Sequence, residues 1–449
     1  MKKEILEEII NSKKNLIVDG DTLSGKTTNV LFPLVDEMIN RKESVFILDS
    51  KEEYINEYYD KLKANDYNII TINLRDLDKS DSWNPLYYPY LLYKKGNYDQ
   101  SQEYIEKIGK AMFHENTNID PFWACNASDF MTGIILGLFE DGKEDEINFN
   151  SVNDMFNGVD LKYTISDYIT TYFNMKDKTS APYIYASATF LAPKETRGSI
   201  LSGARQKLRL FVSSEKLSKL LNKTTFSYEE ILNRHTAIIF INKDENKSLN
   251  VLPAMFMEQL YSILIDNKFD KKFNFVVDNF DSIEYFNELS EMLGSATSRN
   301  IKFLIATYSF DKLFNRYGNY ISKLCNLLVI GKDKLNLIIS GKEEDTDKQF
   351  DEVIIKKSNI DYPKLNESPI KIFDLQKFVI DRKVNSFSSV SGLSDFSKEG
   401  DFKDKSIDEL ISSIDKKIEE IEAEEYKDIR ENLNVKDANV SKFRIEDTL

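Results

Sequence analysis

The sequence predicts an α/β protein, with a parallel sheet covered by helices on both faces and interrupted by a helical region. Short runs of β-branched and aromatic residues alternate with helical stretches, which is typical of parallel strands joined by crossover helices. A long middle interval holds helical patterns and few strand-like runs. At 449 residues with a hydrophobic content of 41%, the chain is long enough for two or three folding units.

The first predicted strand, residues 16–18, leads into a loop with two glycines and then a helix. The loop reads GDTLSGKTT, so Gly20, Gly25, Lys26 and Thr27 fit the pattern G-x-x-x-x-G-K-[ST]. In a loop of this kind the backbone amides and the helix N-terminus face an anion. An ordinary glycine turn is the alternative, but the flanking strand and helix favour a nucleotide site.

The residues predicted to contact the nucleotide are the consecutive loop residues Gly20, Asp21, Thr22, Leu23, Ser24, Gly25, Lys26, Thr27 and Thr28. The lysine would reach the β- and γ-phosphates, and the hydroxyl of Thr27 would ligate Mg²⁺. A second carboxylate is needed at the end of a buried strand, and the run FNFVVDNF supplies Asp278 there. We therefore predict ATP and Mg²⁺ as cofactors, with Thr27 and Asp278 at the metal.

Further strands are predicted at SVFILD, which ends in Asp49, at NIITINL, and near residues 238, 277, 304 and 329. The interval 93–230 instead holds helical patterns such as DFMTGIILGLFEDG. The prediction is therefore a P-loop α/β domain in two parts, 1–92 and 231–385, interrupted by an all-α domain at 93–230.

Residues 386–449 are predicted to form a polar linker and an amphipathic helix. The linker reads SFSSVSGLSDFSKEGDFKDKS. Isoleucines then recur at spacings of three and four: Ile407, Ile411, Ile414, Ile418 and Ile421. Such a helix either docks on its own protein or binds a partner, and the sequence leaves both open.

Composition excludes several classes of protein. The net charge of −15 argues against a surface that binds nucleic acid indiscriminately, although not against a local basic lining. Two cysteines and two histidines argue against a disulfide framework and against a metal cage of thiolates or imidazoles. We find no run of about 18 to 20 uninterrupted apolar residues. The charged start MKKEILEEIINSKKN is not a signal peptide, so we expect a cytoplasmic protein.

Several landmarks, in their order, resemble the type IV coupling proteins, the DNA-transfer ATPases of bacterial conjugation and type IV secretion (the TraG/TraD family). They span residues 15–332 and cover the P-loop, a strand ending in Asp-x-Lys-x-Glu, two short motifs and the stretch around a later strand. The matching segments are GDTLSGKTTNVLFP, FILDSKEEYINE, WNPL, DPFW and RNIKFLIATYSFDKLFNRYG.

This resemblance implies a RecA-like P-loop domain with an inserted all-α domain, assembled as a homo-hexameric ring. It also implies ATP hydrolysis that moves single-stranded DNA, delivered by a relaxase, towards secretion-channel proteins at the membrane. The family usually begins with membrane-spanning helices, and we predict none here. We therefore expect a soluble form that reaches the inner face of the cell membrane through partners.

The chain departs from the family directly after Asp278. The family's strand ends in Asp-Glu, whereas Asn279 stands at the second position here. The glutamate normally polarises the attacking water, and loss of a general base typically costs about 10²- to 10⁴-fold in rate. An asparagine can still orient a water, and Asp281 or Glu284 are candidate substitutes. We therefore expect secure nucleotide binding and weak hydrolysis.

A second departure follows the next strand. The family's γ-phosphate-sensing glutamine is replaced by Tyr308 or Thr307. Arg299, before that strand, matches an arginine of the family and is a candidate to reach the γ-phosphate of a neighbouring subunit in a ring. A solvated arginine that caps a loop is the alternative for Arg299.

A basic stripe in the helical region is the candidate DNA contact. The segment ETRGSILSGARQKLRLF predicts a helix in which Arg205 and Arg209 share a face. The predicted basic residues are Arg197, Arg205, Lys207 and Arg209, and the predicted buried ones are Leu201, Ala204, Leu208 and Phe211. The stripe would follow a phosphate backbone without reading bases. The charged outer face of an ordinary helix is the alternative.

Three functions fit these observations. The leading one is a coupling ATPase that pumps DNA to a conjugation channel, with Lys26, Asp278, Asn279, Arg299 and Tyr308 in the catalytic centre. The second is a hydrolysis-poor, nucleotide-dependent scaffold or assembly factor of the same machinery. The third is a DNA translocase with another task, such as chromosome segregation or DNA packaging.

Overall fold

A computed structural model describes residues 3–113, 121–163, 166–283, 288–318, 320–331, 334–339, 342–347 and 360–388. The isoleucine-rich tail and Glu284 lie outside these residues. The chain forms two compact units. One comprises Met1–Asn153 and Ile184–Phe373, and the other comprises Asp154–Tyr183 and the described part of Asp374–Leu449.

The described residues contain eleven strands. They are β1 Asn15–Gly20, β2 Ser44–Asp49, β3 Asn68–Asn73, β4 Lys162–Tyr163, β5 Ser166–Asp167, β6 Thr236–Ile241, β7 Phe273–Val277, β8 Ile301–Thr307, β9 Cys325–Ile330, β10 Lys334–Ile339 and β11 Lys342–Asp347.

One sheet contains nine of these strands in the order β11-β10-β9-β1-β8-β7-β2-β6-β3. The seven strands from β9 to β3 in this order are parallel. They include every strand that the sequence predicted. The antiparallel pair β10 and β11 extends the sheet beyond β9, and the sequence analysis missed it. Strands β4 and β5 form a separate short pair in the second unit.

The helices connect the strands and predominate in the sequence between β3 and β6, where β4 and β5 are the strands described. They are α1 Lys3–Asn11, α2 Phe32–Asn40, α3 Glu53–Ala64, α4 Tyr87–Lys94, α5 Tyr98–Phe113, α6 Phe122–Asp141, α7 Phe149–Asn157, α8 Tyr168–Asn174, α9 Ala181–Phe190, α10 Lys194–Val212, α11 Glu215–Leu220, α12 Tyr228–Asn233, α13 Val251–Asp266, α14 Leu289–Ala296, α15 Phe310–Tyr317, α16 Tyr320–Leu324 and α17 Leu375–Ser388. The domain boundaries at 93 and 230 remain a prediction.

Both faces of the parallel sheet are buried, because alternate residues of each strand point to opposite faces. On one face, Val45 and Ile47 pack in a core with α1, α2 and α3. On the other, Phe46 stacks on Phe256 of α13 with ring centroids 5.8 Å apart. Phe303 stacks on Phe275 at 4.6 Å. The predicted α/β fold is confirmed.

Among the described residues, two helical stretches are long and apolar enough to cross a membrane, Phe122–Asp141 and Lys247–Asp266. In their apolar windows, 61% and 83% of the residues are buried inside the protein. Buried core helices have the same composition, so these stretches are weak evidence for a membrane span.

Asn15, the first residue of β1, connects this strand with α14 and β8 and is fully buried. Its Nδ2 donates to the carbonyl oxygen of Leu293 at 3.0 Å, and its Oδ1 accepts from the Phe303 amide at 3.0 Å. The side chain therefore satisfies backbone groups that lie almost 300 residues further along the chain, as the 278- and 288-residue separations show.

We predict that Asn15→Ala lowers the free energy of unfolding by about 2 to 4 kcal/mol, because it leaves a buried carbonyl and a buried amide without partners. Urea unfolding followed by circular dichroism measures this change. Asn68→Ala is the matched control, since Asn68 also starts a parallel strand but is half-buried and makes one 3.4 Å bond to Thr236. Equal losses for the two variants would contradict the prediction.

Candidate nucleotide site

The loop after β1 has the backbone that the glycine pattern predicts. Gly25 has a φ of 93°, a left-handed conformation that side chains other than glycine rarely adopt. A Cβ at Gly20 would lie 2.7 Å from the Ser24 hydroxyl and 3.1 Å from the Cβ of Ile330. The predicted helix follows directly, with a π-helical turn at Lys26–Leu31 that continues into α2. Both glycines are therefore needed for the shape of the loop.

The ammonium group of Lys26 lies within the loop. Its Nζ donates to the carbonyl oxygens of Gly20 at 2.5 Å and Asp21 at 2.9 Å. The pKa of Lys26 is lowered overall, because the effect of burial is larger than the opposing effect of the Asp278 and Asp19 carboxylates. The ammonium is thus held by oxygen atoms at the carboxyl end of β1.

Asp278, directly after β7, meets the loop. Its Oδ2 accepts hydrogen bonds from the Thr27 hydroxyl at 2.7 Å and from the Tyr54 hydroxyl at 3.1 Å. The pKa of Asp278 is raised overall. Burial raises it, and the Thr27 and Tyr54 hydrogen bonds and the charge of Lys26 offset only part of this rise. The structure therefore brings together the two side chains that were predicted to hold Mg²⁺, although 251 residues separate them.

Asp49 at the end of β2 supports the position of Tyr54. Its buried carboxylate accepts from the backbone amides of Lys51, Glu53, Tyr54 and Ile55 at 3.0 to 3.3 Å. Three of these donors, Glu53, Tyr54 and Ile55, are free amides in the first turn of α3, and Lys51 lies in the turn before it. Burial raises the pKa of Asp49 and the four amides partly offset this rise, so that the resulting pKa is about 6. The carboxylate therefore fixes the turn that delivers Tyr54 to Asp278.

Asn279 has a backbone conformation that explains its residue type. Its φ of 60° and ψ of 53° are left-handed, a region in which asparagine is enriched and glutamate is not. Its Nδ2 donates to Oδ2 of Asp244 at 3.3 Å. A glutamate at this position would have a strained backbone and would bring a third carboxylate beside Asp244 and Asp278.

Asp281 connects the loop after β7 with the end of β8. Its Oδ2 accepts from the Thr307 hydroxyl at 2.9 Å and from the Tyr308 amide at 3.0 Å. Thr307 is buried, whereas the Tyr308 side chain is 46% exposed, with Lys312 Nζ 5.2 Å from its ring centroid. The exposed position after β8 is therefore Tyr308, and Thr307 serves as a hydrogen-bond donor to Asp281.

These groups line one cavity of about 440 Å³, a size typical of small-molecule sites. The lining residues that the sequence predicted are Thr22, Leu23, Ser24, Gly25, Lys26, Thr27, Thr28, Asp278, Asn279 and Tyr308. Asp281 and Thr307, which the sequence analysis named as alternatives, also line it, and the additional lining residues are Asp49, Ser50, Lys51, Glu53, Asp244 and Ala306. Most of the additional residues follow the carboxyl ends of parallel strands, where ligands of α/β proteins bind, so this position was the signal that could have found them.

The family model for the conjugative DNA transfer proteins of type IV secretory systems matches residues 10–360. The chain belongs to this family. Family membership confirms the resemblance that the sequence motifs carried and makes the protein a component of conjugative DNA transfer. None of the curated proteins matches the chain in sequence.

Solved structures of bacterial conjugative coupling protein TrwB have a similar fold. A TrwBdeltaN70 structure with sulphate is 13% identical, with a TM-score of 0.53 over 75% of this chain and 78% of that chain. TrwB with ADP and Mg²⁺ gives the same values. TrwB with the non-hydrolysable ATP analogue ADPNP is 13% identical, with a TM-score of 0.54 over 84% and 94% of the chains. At this identity the likeness concerns the fold, and it supports the predicted P-loop architecture with accompanying helices.

In this conjugative DNA-transfer protein Arg299 lies away from the cavity. It directly precedes β8, whereas Tyr308 follows the same strand, so the two lie at opposite edges of the sheet. A seven-residue strand is about 20 Å long. Arg299 instead lines a second cavity of about 470 Å³ with Lys268 and Asp270. Within one chain it is therefore not part of the nucleotide site.

The predicted basic residues of the helical region lie on α10. The predicted buried face of this helix is confirmed, since Leu201, Ala204, Leu208 and Phe211 are buried. Arg209 is exposed, and the other three, Arg197, Arg205 and Lys207, are half-buried. A role of this stripe in DNA binding remains a prediction.

We predict that Asn279→Glu lowers the free energy of unfolding by at least about 1 to 2 kcal/mol, because the left-handed backbone disfavours glutamate and the new charge faces Asp244 and Asp278. Asn279→Gly should stay within about 1 kcal/mol of the wild type. Chemical denaturation measures both changes.

The matched control is Asn300→Glu, since Asn300 also has a left-handed backbone, with a φ of 56°. This variant reports the backbone strain at a position outside the nucleotide cavity. An Asn279→Glu protein as stable as the wild type would contradict the strain argument.

Proposed function

We propose that this protein binds ATP with Mg²⁺ and couples its hydrolysis to the transfer of DNA, with bound relaxase, to a type IV secretion channel. The observation that carries the proposal is the 2.7 Å contact between the Thr27 hydroxyl and the Asp278 carboxylate at the mouth of the loop. The ADP, Mg²⁺ and ADPNP bound in the TrwB structures support the choice of ligand.

The residues of the loop fit this ligand. The Lys26 ammonium is already held by two carbonyl oxygens and would exchange them for phosphate oxygens. Thr27 and Asp278 would hold Mg²⁺, and the ion, when bound, supplies positive charge that stabilises the phosphates. Tyr54 would keep one oxygen of Asp278 fixed by hydrogen bonding. Tyr308, exposed at the cavity, would contact the nucleotide.

Hydrolysis is proposed to be slow. Asn279 can accept a hydrogen bond from a water molecule but cannot take its proton, and loss of a base costs about 10²- to 10⁴-fold. Asp281 lines the cavity, and Thr307 and Tyr308 both donate to its Oδ2, so neither occupies its Oδ1. We infer that Asp281, one of the substitutes named from the sequence, is placed to act as a base in the cavity.

Assembly would complete the site. We propose a homo-hexameric ring in which Arg299 acts on the nucleotide of the neighbouring subunit, because in its own chain it lies at the opposite edge of the sheet. The basic residues of α10 would follow single-stranded DNA without reading bases. We place the protein in the cytoplasm, at the inner face of the membrane, where channel proteins would recruit it.

A hydrolysis-poor scaffold of the same machinery is the second candidate. It is favoured by the left-handed backbone of Asn279, which suits asparagine and opposes a catalytic glutamate. In this case nucleotide binding would switch assembly or partner affinity. Turnover decides between the two functions. A DNA translocase with another task has no specific observation in its favour.

We predict that the purified protein hydrolyses ATP, that single-stranded DNA stimulates the reaction, and that Lys26→Ala lowers turnover by about 100-fold or more. Phosphate release and equilibrium ATP binding are measured together. Lys63→Ala is the control, since Lys63 is exposed on α3 outside the cavity. Binding without turnover would favour the scaffold, and absence of binding would overturn both functions.

We predict that Tyr54→Phe weakens Mg²⁺ binding to the nucleotide complex by about tenfold, because the outer-shell hydrogen bond to Asp278 is lost. Nucleotide affinity without Mg²⁺ should not change. A Mg²⁺ titration of bound fluorescent ADP measures the effect.

Tyr58→Phe is a closely matched control for this prediction. Tyr58 is also buried on α3 and also packs edge-on against Phe32, but its hydroxyl donates to the Phe32 carbonyl at 2.7 Å. The same Mg²⁺ dependence in both variants would exclude a specific role for the Tyr54 hydroxyl.

A further inference from the structure

Arg75, two residues beyond the end of β3, joins the carboxyl ends of three strands. Its Nε donates to the Ser50 carbonyl after β2 at 2.5 Å. Its Nη2 donates to Oδ1 of Asp244 at 2.8 Å and to Oε2 of Glu245 at 2.9 Å, both after β6. The Arg75 and Asp244 side chains are 25% and 24% exposed. Arg75 therefore fixes Asp244 at the edge of the nucleotide cavity.

The two oxygens of Asp244 serve different partners. Oδ1 accepts from Arg75, and Oδ2 accepts from Asn279 Nδ2 at 3.3 Å. This contact also fixes the orientation of the Asn279 amide group. In the flipped orientation the amide oxygen would face the Asp244 carboxylate and be repelled by it. The Asn279 oxygen is consequently left to accept a hydrogen bond from another group in the cavity.

We propose that Asp244, held by Arg75, is a positioning residue for Asn279, so that the asparagine oxygen faces the water that attacks the γ-phosphate. This inference rests on the proposed function. The Arg75–Asp244–Asn279 relay would partly offset the missing glutamate, because it fixes an acceptor that is otherwise free to rotate. Arg75 and Asp244 lie 169 residues apart and belong to neither sequence motif of the nucleotide site.

The experiment compares Asp244→Asn, Asn279→Gly and the double variant. We expect Asp244→Asn to lower kcat about tenfold while KM for ATP and affinity for ADP stay within twofold. Affinity for ADP with aluminium fluoride, which resembles the transferring phosphoryl group, should fall about tenfold. This binding measurement does not depend on turnover.

The double variant tests whether Asp244 acts through Asn279. If it does, adding Asp244→Asn to Asn279→Gly produces no further loss. Glu245→Gln is the matched control, because Glu245 also bonds Arg75 but is 65% exposed and does not contact Asn279. It should behave as the wild type in every assay.

Three results would overturn the relay. The first is a double variant in which the losses of the two single variants multiply. The second is an Asp244→Asn protein with the kcat and affinities of the wild type. The third is an equal loss of affinity for ADP and for ADP with aluminium fluoride, which would indicate a purely structural clamp. In each case the wild type still binds nucleotide, so the proposed function stands. A wild type that binds neither ligand overturns the proposed function and the relay together.

Discussion

The hydrogen bond between Thr27 and Asp278 is the contact on which the rest of the site depends. It requires the carboxyl ends of β1 and β7 to lie at one edge of the sheet, although β8 lies between them. Only a parallel arrangement of these strands meets this requirement. Lys26 and Tyr54 then approach the same carboxylate from the loop and from α3, so the positions of four side chains follow from one strand order.

The cavity is rich in carboxylates. Asp49, Glu53, Asp244, Asp278 and Asp281 line it, together with two basic side chains, Lys26 and Lys51. Such a lining repels a free triphosphate, and a bound divalent cation would reduce this repulsion. The acidic environment also gives a physical reason for the neutral Asn279, because another carboxylate there would lie beside two existing ones. The departure from the family motif therefore agrees with its surroundings.

Local sequence was sufficient to predict the parallel strands and the loop. Each of these strands is a short run of mostly buried residues. The loop has a glycine, Gly25, where the backbone is left-handed. In the missed pair β10 and β11, the second strand reads KEEDTD and contains no apolar residue that could indicate it. Tyr54 was also missed as a site residue, since its contact with Asp278 spans 224 residues and has no local pattern.

The sequence by itself determined the seven parallel strands, the phosphate-binding loop and the family, because each depends on residues that are close together or on motifs in a fixed order. Tertiary structure alone decided which carboxylates meet in the cavity, that Tyr54 reaches Asp278, and that Arg75 reaches Asp244. The physical reason is that strand order is set by packing of the whole sheet. The order of strands in the chain does not specify it.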